Sequence, residues 1–299
     1  MRLKADLTLF LVALIWGTCF AAQRVAGQLG SVYYFNGSRY ILAGLIVLMI
    51  CLRRRKGMKT KFFNRMLPGQ YKWMLVAGTL LFMAAAFQQA GILYTTAGNA
   101  GFITGLYVVL VPIVLFFGWR DNLGRLSLAS AGLAAAGAFL LSTGGELEIH
   151  KGDALELAGA FLWALHVIVV GKHGSRFDTM TFSTGQLFVC GFMNLLAALL
   201  FEHFVFTSSL AAAVLYTGVL GVGLGFTLQV WAQKHTTPSD AALIMSLESV
   251  FAVIAGWLYL DERLTSIQMI GCAVILFAVG LSQVAHLRFS QRKLAGGRE

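Results

Sequence analysis

The residues that could do chemistry in this chain of 299 are few, and they stand in apolar surroundings. Glu248 sits in "AALIMSLESVFAVIAG", three residues after Met245. A carboxyl there could carry a proton or contact a cationic group of a ligand; equally, it could lock helices together by pairing with Arg39 of "NGSRY". Trp16, Cys19, Phe20 and Gln23 follow the i, i+3, i+4, i+7 pattern that places side chains on one helical face. Trp163 and His166 share a face by the same three-residue step. Opposed indoles could stack on an aromatic or amphipathic ligand, or simply fill a core, but His166 needs a partner wherever it is buried. Gln88, Asn99, Tyr107 and Gln229 add amides and a phenol that could bind a solute or hold neighbouring helices together. Arg24 and Arg39 suit a structural role, snorkelling to headgroups or pairing with carboxylates.

The elements that position these groups must be membrane helices. The chain is 58% hydrophobic and 12% charged, with a mean hydropathy of +0.75, whereas a soluble domain carries about 25% charged residues. That balance excludes a cytosolic enzyme, a secreted disulfide scaffold and a disordered chain. Cys19, Cys51, Cys190 and Cys272 are scattered through apolar stretches without CxxC or Cys/His spacing, so neither a disulfide framework nor a zinc site is expected. Apolar stretches of roughly 20 residues, the length a bilayer requires, recur at 6–25, 32–52, 72–93, 97–118, 126–142, 153–171, 179–201, 209–231, 239–260 and 265–286. The expected fold is an all-α bundle of ten transmembrane helices. Glu248 lies about ten residues from either end of the ninth, roughly 15 Å deep at 1.5 Å per residue. A charge at that depth costs on the order of 2.5–3.5 kcal/mol.

Charge placement bears on this topology independently, because Lys- and Arg-rich loops stay cytoplasmic. With the N-terminus inside, nineteen of the 23 Lys and Arg residues fall on the inner side, against Lys151 and Arg263 outside and Arg24 and Arg39 within helices. Both termini are expected in the cytoplasm, in a cell inner (plasma) membrane. The net charge of +10 is then a topology anchor facing anionic lipid, not a nucleic-acid surface; this applies above all to "RRRKGMKTKFFNR" at 53–65. Arg2 and Lys4 before an apolar run also fit a signal peptide, but the internal repeat requires that helix to stay. Trp73, Trp119, Trp231 and Trp257 fall near predicted helix ends, where interfacial indoles sit.

A shift of 141 positions aligns the third and fourth helices with the eighth and ninth, giving nine identities between 88 and 123. Gln88 meets Gln229, Thr95 and Thr96 meet Thr236 and Thr237, and Asn99 and Tyr107 meet Asp240 and Glu248. At a slightly different offset Trp16 meets Trp163. Five helices per half is odd, so the halves (1–145 and 146–299) enter the membrane in opposite senses. Inverted halves can open a shared midplane cavity to each side in turn.

"LIWGTCFAAQRVAG", "GFITGLYVVLVPIVLFFGW" and "AALIMSLESVFAVIAGWLYLDERLTSIQMIGCAVILFAVGL" resemble the signature stretches of EamA-type transporters of the drug/metabolite transporter superfamily, and the likeness spans 5–285. The resemblance implies ten helices in two inverted five-helix halves, alternating access, and export or uptake of small organic metabolites, amino acids and aromatic compounds among them. Two departures are visible: Ser249 stands where the family often has proline, and the fourth helix ends in "WRDN" instead of an acidic pair.

No nucleotide motif or metal cluster is legible, so no cofactor is expected and gradients must drive transport. "GVGLG" is not a phosphate loop, because it lies inside a span. Gly221 and Gly225 would suit a homodimer face or a hinge. The competing class is a membrane-embedded enzyme acting on lipid or isoprenoid substrates. It would need clustered carboxylates or histidines at one interface, and Glu146, Glu148, Asp153 and Glu156 come closest. The expected partners are therefore a small-molecule substrate and the lipid bilayer.

Overall fold

Hydrocarbon offers a backbone no hydrogen bonds, and an α-helix satisfies its own. The computed structural model describes residues 1–29, 31–55, 69–95, 97–121, 124–143, 151–203, 207–260 and 265–295. Every regular element among them is helical. In order they are α1 (Arg2–Gln28), α2 (Tyr33–Arg55), α3 (Gln70–Gly91), α4 (Ala97–Gly105), α5 (Tyr107–Trp119), α6 (Arg125–Thr143), α7 (Asp153–Lys172), α8 (Thr179–Phe201) and α9 (Ser208–Tyr216). A π-helix (Thr217–Phe226), α10 (Thr227–Ala232), α11 (Pro238–Met245), α12 (Glu248–Leu260) and α13 (Ser266–Ala295) follow. Eight stretches are long and apolar enough to cross a membrane: Arg2–Gln28, Tyr33–Arg54, Gln70–Gly91, Asn99–Trp119, Asp153–Arg176, Thr179–Phe201, Ser208–Ala232 and Pro238–Leu258. Arg125–Leu141 and Ser266–Leu281 are shorter apolar helices. The expectations for Lys56–Arg65, Thr96, Glu146, Glu148, Arg263 and the 145/146 boundary lie outside the described residues.

Polarity runs inside out. Phe117, Leu199, Leu200 and Phe201 project outward, whereas Asn36, Glu156, His166, Gln186, Asn194 and Gln229 have no exposed surface. Such a molecule belongs in lipid, where polar groups turn toward one another. It is a multi-pass membrane protein.

Three spans are not simple α-helices. The fourth steps through a 3₁₀ turn between α4 and α5, where the Leu106 N–H donates to the Ile103 carbonyl at 3.2 Å. The stretch Pro238–Leu258 does the same between α11 and α12, with the Leu247 N–H on the Ile244 carbonyl at 3.2 Å. The two steps are 141 positions apart. The ends of α3 and α10 keep the same interval: Ile92 N–H to Gln88 O and Gln233 N–H to Gln229 O are both 2.9 Å. The stretch Ser208–Ala232 widens into the ten-residue π-helix over the glycine-rich run, a rare geometry found frequently at functional sites.

Helices α1 and α7 each pack against elements distant in sequence. Thus α1 lies on the π-helix, α10, α11 and α12, while α7 lies on α3, α4 and α5. The α2·α8 and α6·α13 contacts are the most extensive in the bundle. Gly221 and Gly225 face Cys19 and Trp16 of α1, so this small-residue stripe is used within the chain instead of presenting a face to a second copy. A Cβ at Gly225 would stand 2.5 Å from the Trp16 indole nitrogen, which is already fixed by a 2.9 Å bond to the Gly221 carbonyl. Ser249 donates to the Gly101 carbonyl at 2.9 Å and ties α12 to α4.

Glu202, at the C-terminal end of α8, accepts from the Val32, Tyr33 and Tyr34 N–H groups at 2.8–3.1 Å. It thereby satisfies three of the donors that a helix start leaves open and places a negative charge at the positive end of α2. Glu202→Ala is expected to destabilise the protein by about 1–3 kcal/mol, read as a lower melting temperature in detergent; an unchanged value would show that water caps α2 equally well. Gly225→Ala is expected to cost about 1–3 kcal/mol by overpacking and to alter indole fluorescence as Trp16 is displaced. Unchanged stability and emission would mean the π-helix yields instead.

Candidate solute-binding cavity

Where α1 crosses α12 and the two 3₁₀ steps meet, a cavity of about 50 Å³ remains, room for about three waters at roughly 15 Å³ each. Trp16, Phe20 and Gln23 line it from α1, Arg39 and Tyr40 from α2, and Gln88 from α3. Thr104 and Tyr107 flank the first step, Glu248 opens α12 just after the second, and Trp163 and Val167 come from α7. Val222, Phe226 and Gln229 complete the wall.

One side is aromatic. Phe226 stacks on Trp163 (5.8 Å between centroids, 11°) and contacts Trp16 at 5.0 Å and Tyr40 at 6.1 Å. The two indoles therefore do not oppose each other across open space, because Phe226 stands between them. The other side is polar and incompletely bonded. Gln23 Oε1, the Tyr107 hydroxyl, Trp163 Nε1, both amide atoms of Gln229 and Glu248 Oε1 are buried without a hydrogen bond to protein. The Tyr107 hydroxyl faces the Glu248 carboxyl without completing a hydrogen bond of ordinary geometry.

Arg39 is 4% exposed and Glu248 3%. The Arg39 Nε donates to Asn36 Oδ1 at 3.0 Å, and its guanidinium lies over Phe35 at 4.7 Å and Tyr40 at 5.3 Å. Ion pairs among the described residues include Arg2 with Asp6 and Asp240, and Lys172 with Asp121. Arg39 and Glu248 thus face one cavity without closing a salt bridge on each other.

Nine of the candidate solute-contact residues meet here: Trp16, Phe20, Gln23, Arg39, Gln88, Tyr107, Trp163, Gln229 and Glu248, together with Cys19 and Gly221. Three do not line the cavity. His166 stands behind the aromatic wall, edge-on to Phe226 and Trp163, with Nε2 3.1 Å from Gln186 Oε1. Met245 is fully enclosed in the main core cluster, and Asn99 is buried near the start of α4. Tyr40, Thr104, Val167, Val222 and Phe226 escaped the sequence reading. Tyr40 directly follows Arg39, and Thr104 is one turn before Tyr107, spacings that could have flagged both; Phe226 carries no polar signal at all.

The chain matches the EamA-like transporter family over residues 3–143 and 150–283. It is 33% identical to an uncharacterized transporter of Archaeoglobus fulgidus over 280 residues, covering 93% of this chain and 85% of the relative. Identity to the threonine/homoserine exporter RhtA of Salmonella typhimurium is 26% over 146 residues, 48% of this chain and 49% of that protein. A solved crystal structure with 18% identity superposes with a TM-score of 0.78, covering 97% of this chain and 99% of the other, which bears on the fold alone. The family and these relatives are transporters, not enzymes, so the lipid-enzyme reading falls. The chain belongs to the EamA-like transporter family of the drug/metabolite transporter superfamily.

Proposed function

We propose that this transporter exports small organic metabolites, amino acids and other amphipathic or aromatic compounds, across the inner membrane by alternating access. The observation that carries this reading is the pairing of a buried Arg39 with a buried Glu248 around one cavity, neither neutralised by the other. A buried charge without a counter-charge is costly, and a zwitterion would compensate both charges at once. Its carboxylate would meet the Arg39 guanidinium and its ammonium the Glu248 carboxyl, while Gln23, Gln229 and Tyr107 complete its hydrogen bonds. An apolar side chain would rest on Trp163 and Phe226. The substrates named for the threonine/homoserine exporter RhtA lie in the same chemical class.

On this reading the chain is ten helices in two inverted repeats, 1–145 and 146–299. The matched 141-residue spacing of the two 3₁₀ steps and of the α3 and α10 ends supports the repeat. The lysine and arginine distribution supports cytoplasmic termini. Solute gradients or coupled ions supply the energy.

A thermal-shift screen of the purified protein against L-threonine, L-homoserine, L-tryptophan and their decarboxylated and deaminated analogues tests the reading, since ligands of the folded state raise its melting temperature. The intact amino acids are expected to stabilise and both analogue sets to lose the effect; stabilisation by organic cations alone would overturn the zwitterion reading. Trp163→Ala and Glu248→Gln are each expected to weaken amino-acid binding about tenfold, roughly 1.4 kcal/mol, with folding retained. Wild-type affinity in either variant would remove that residue from the site.

A further inference from the structure

A second buried carboxyl lies next to the cavity and has no part in the solute contacts above. Glu156, in the first turn of α7, is completely enclosed. Its Oε2 accepts from the Thr104 hydroxyl at 3.2 Å, and Thr104 Oγ1 in turn accepts from Gln88 Nε2 at 3.0 Å. Thr104 and Gln88 both line the cavity, so an unbroken hydrogen-bond chain runs from Glu156 to the solute space. Glu156 Oε1 makes no hydrogen bond to protein. The carboxyl is pressed against α3, where a Cβ at Gly91 would stand 2.7 Å from Glu156 Cγ and 2.9 Å from Oε1.

On α7 itself Asp153, three residues before Glu156, is the charged neighbour, and it accepts from the Thr95 hydroxyl at 3.0 Å. Among the described residues α3 presents Gly91 and Gln88, and α4 presents Thr104; none titrates, and no cation forms an ion pair with Glu156. A structural carboxyl in lipid is ordinarily paired or fully hydrogen-bonded. This one is half-bonded, and its bonded half ends in the cavity.

We infer that Glu156 is a proton-binding site whose state is read in the cavity through Thr104. A hydroxyl has one donor and two acceptor positions. While Glu156 is ionised, Thr104 spends its donor on the carboxylate and offers the cavity none. When Glu156 takes up a proton it donates to Thr104 Oγ1, Gln88 keeps the second acceptor position, and the Thr104 O–H turns into the cavity. One proton bound at Glu156 thus adds one hydrogen-bond donor to the solute site, and a proton gradient is thereby coupled to solute affinity.

This inference rests on the transport reading, but its first test needs no solute. Infrared difference spectra of the purified protein between acid and alkaline pH are expected to show a protonated-carboxyl carbonyl band that disappears in Glu156→Gln and persists in Glu248→Gln. The same band should shift in Thr104→Val, which keeps the volume and removes the hydroxyl. A pH difference band unchanged in Glu156→Gln overturns the proposal. In proteoliposomes with L-threonine as probe, Glu156→Gln is expected to lose about tenfold of pH-driven accumulation, within the usual range of coupling strengths, while counterflow exchange persists. Full pH-driven accumulation by this variant also overturns the proposal. Absence of counterflow in the wild type would count against the transport reading alone and leave the spectroscopic result standing.

Discussion

Inside a bilayer a polar atom either finds a partner within the protein or borders trapped water, and this constraint sorts the interior of the molecule into two populations. The first is bonded and structural. Asn36 donates to the Ala85 carbonyl, Gln89 to the Gln23 carbonyl and Gln233 to the Val167 carbonyl, at 2.9–3.0 Å. Each bond ties one helix to the backbone of another. The second population includes Gln23 Oε1, Tyr107, Trp163 Nε1, Gln229 and Glu248, whose unbonded atoms converge on one cavity. Unbonded atoms also occur elsewhere, Gln89 Oε1 and Gln233 Oε1 among them; what distinguishes the second population is that its atoms converge on one cavity.

Helix geometry produces that convergence. A continuous α-helix would carry Tyr107 and Glu248 past the cavity at the usual 100° per residue, whereas a 3₁₀ turn immediately before each advances the phase. The π-helix works in the opposite sense, widening the backbone so that Gly221 and Gly225 admit the Trp16 indole while Phe226 reaches Trp163. None of these departures occurs at Pro112, which sits within the regular part of α5. They coincide with Gly105, Ser246 and the run from Gly218 to Gly225, residues that add little side-chain packing to hold ideal geometry.

Much of the site is legible from sequence because polar residues in apolar spans are expensive, and only a use for them justifies the cost. That argument finds Gln23, Gln88, Gln229, Tyr107 and Glu248. Periodicity finds Trp16 and Trp163. It fails where the informative quantity is depth or direction. Glu156 reads as an acid at a helix end, and only the folded chain shows Gly91 covering it. His166 has the spacing of a cavity residue, but Gln186 of α8 draws it to the far side of the aromatic wall. Phe226 is invisible because an aromatic in a span looks the same whether it faces lipid or solute. The spans themselves were legible from hydropathy; the 3₁₀ and π segments were not, since helix type leaves no mark on composition.

The size of the cavity constrains how the proposed cycle works. Space for about three waters does not admit an amino acid with its side chain, so the walls must separate for solute to enter. Most of the wall is unable to yield: α2 is held against α8 along its length and capped by Glu202, and α3 is wedged between α7 and α8. The segments with the least regular hydrogen bonding are the two 3₁₀ steps and the π-helix, and each carries a residue that would touch solute: Tyr107, Glu248 and Phe226. In the proposed cycle, movement there would open the cavity and change its contacts in one event; the two 3₁₀ steps lie 141 positions apart, whereas the π-helix corresponds to regular α-helix in α3. A carrier built this way couples binding to reorientation without a separate gate, because the elements able to move are the ones the solute holds.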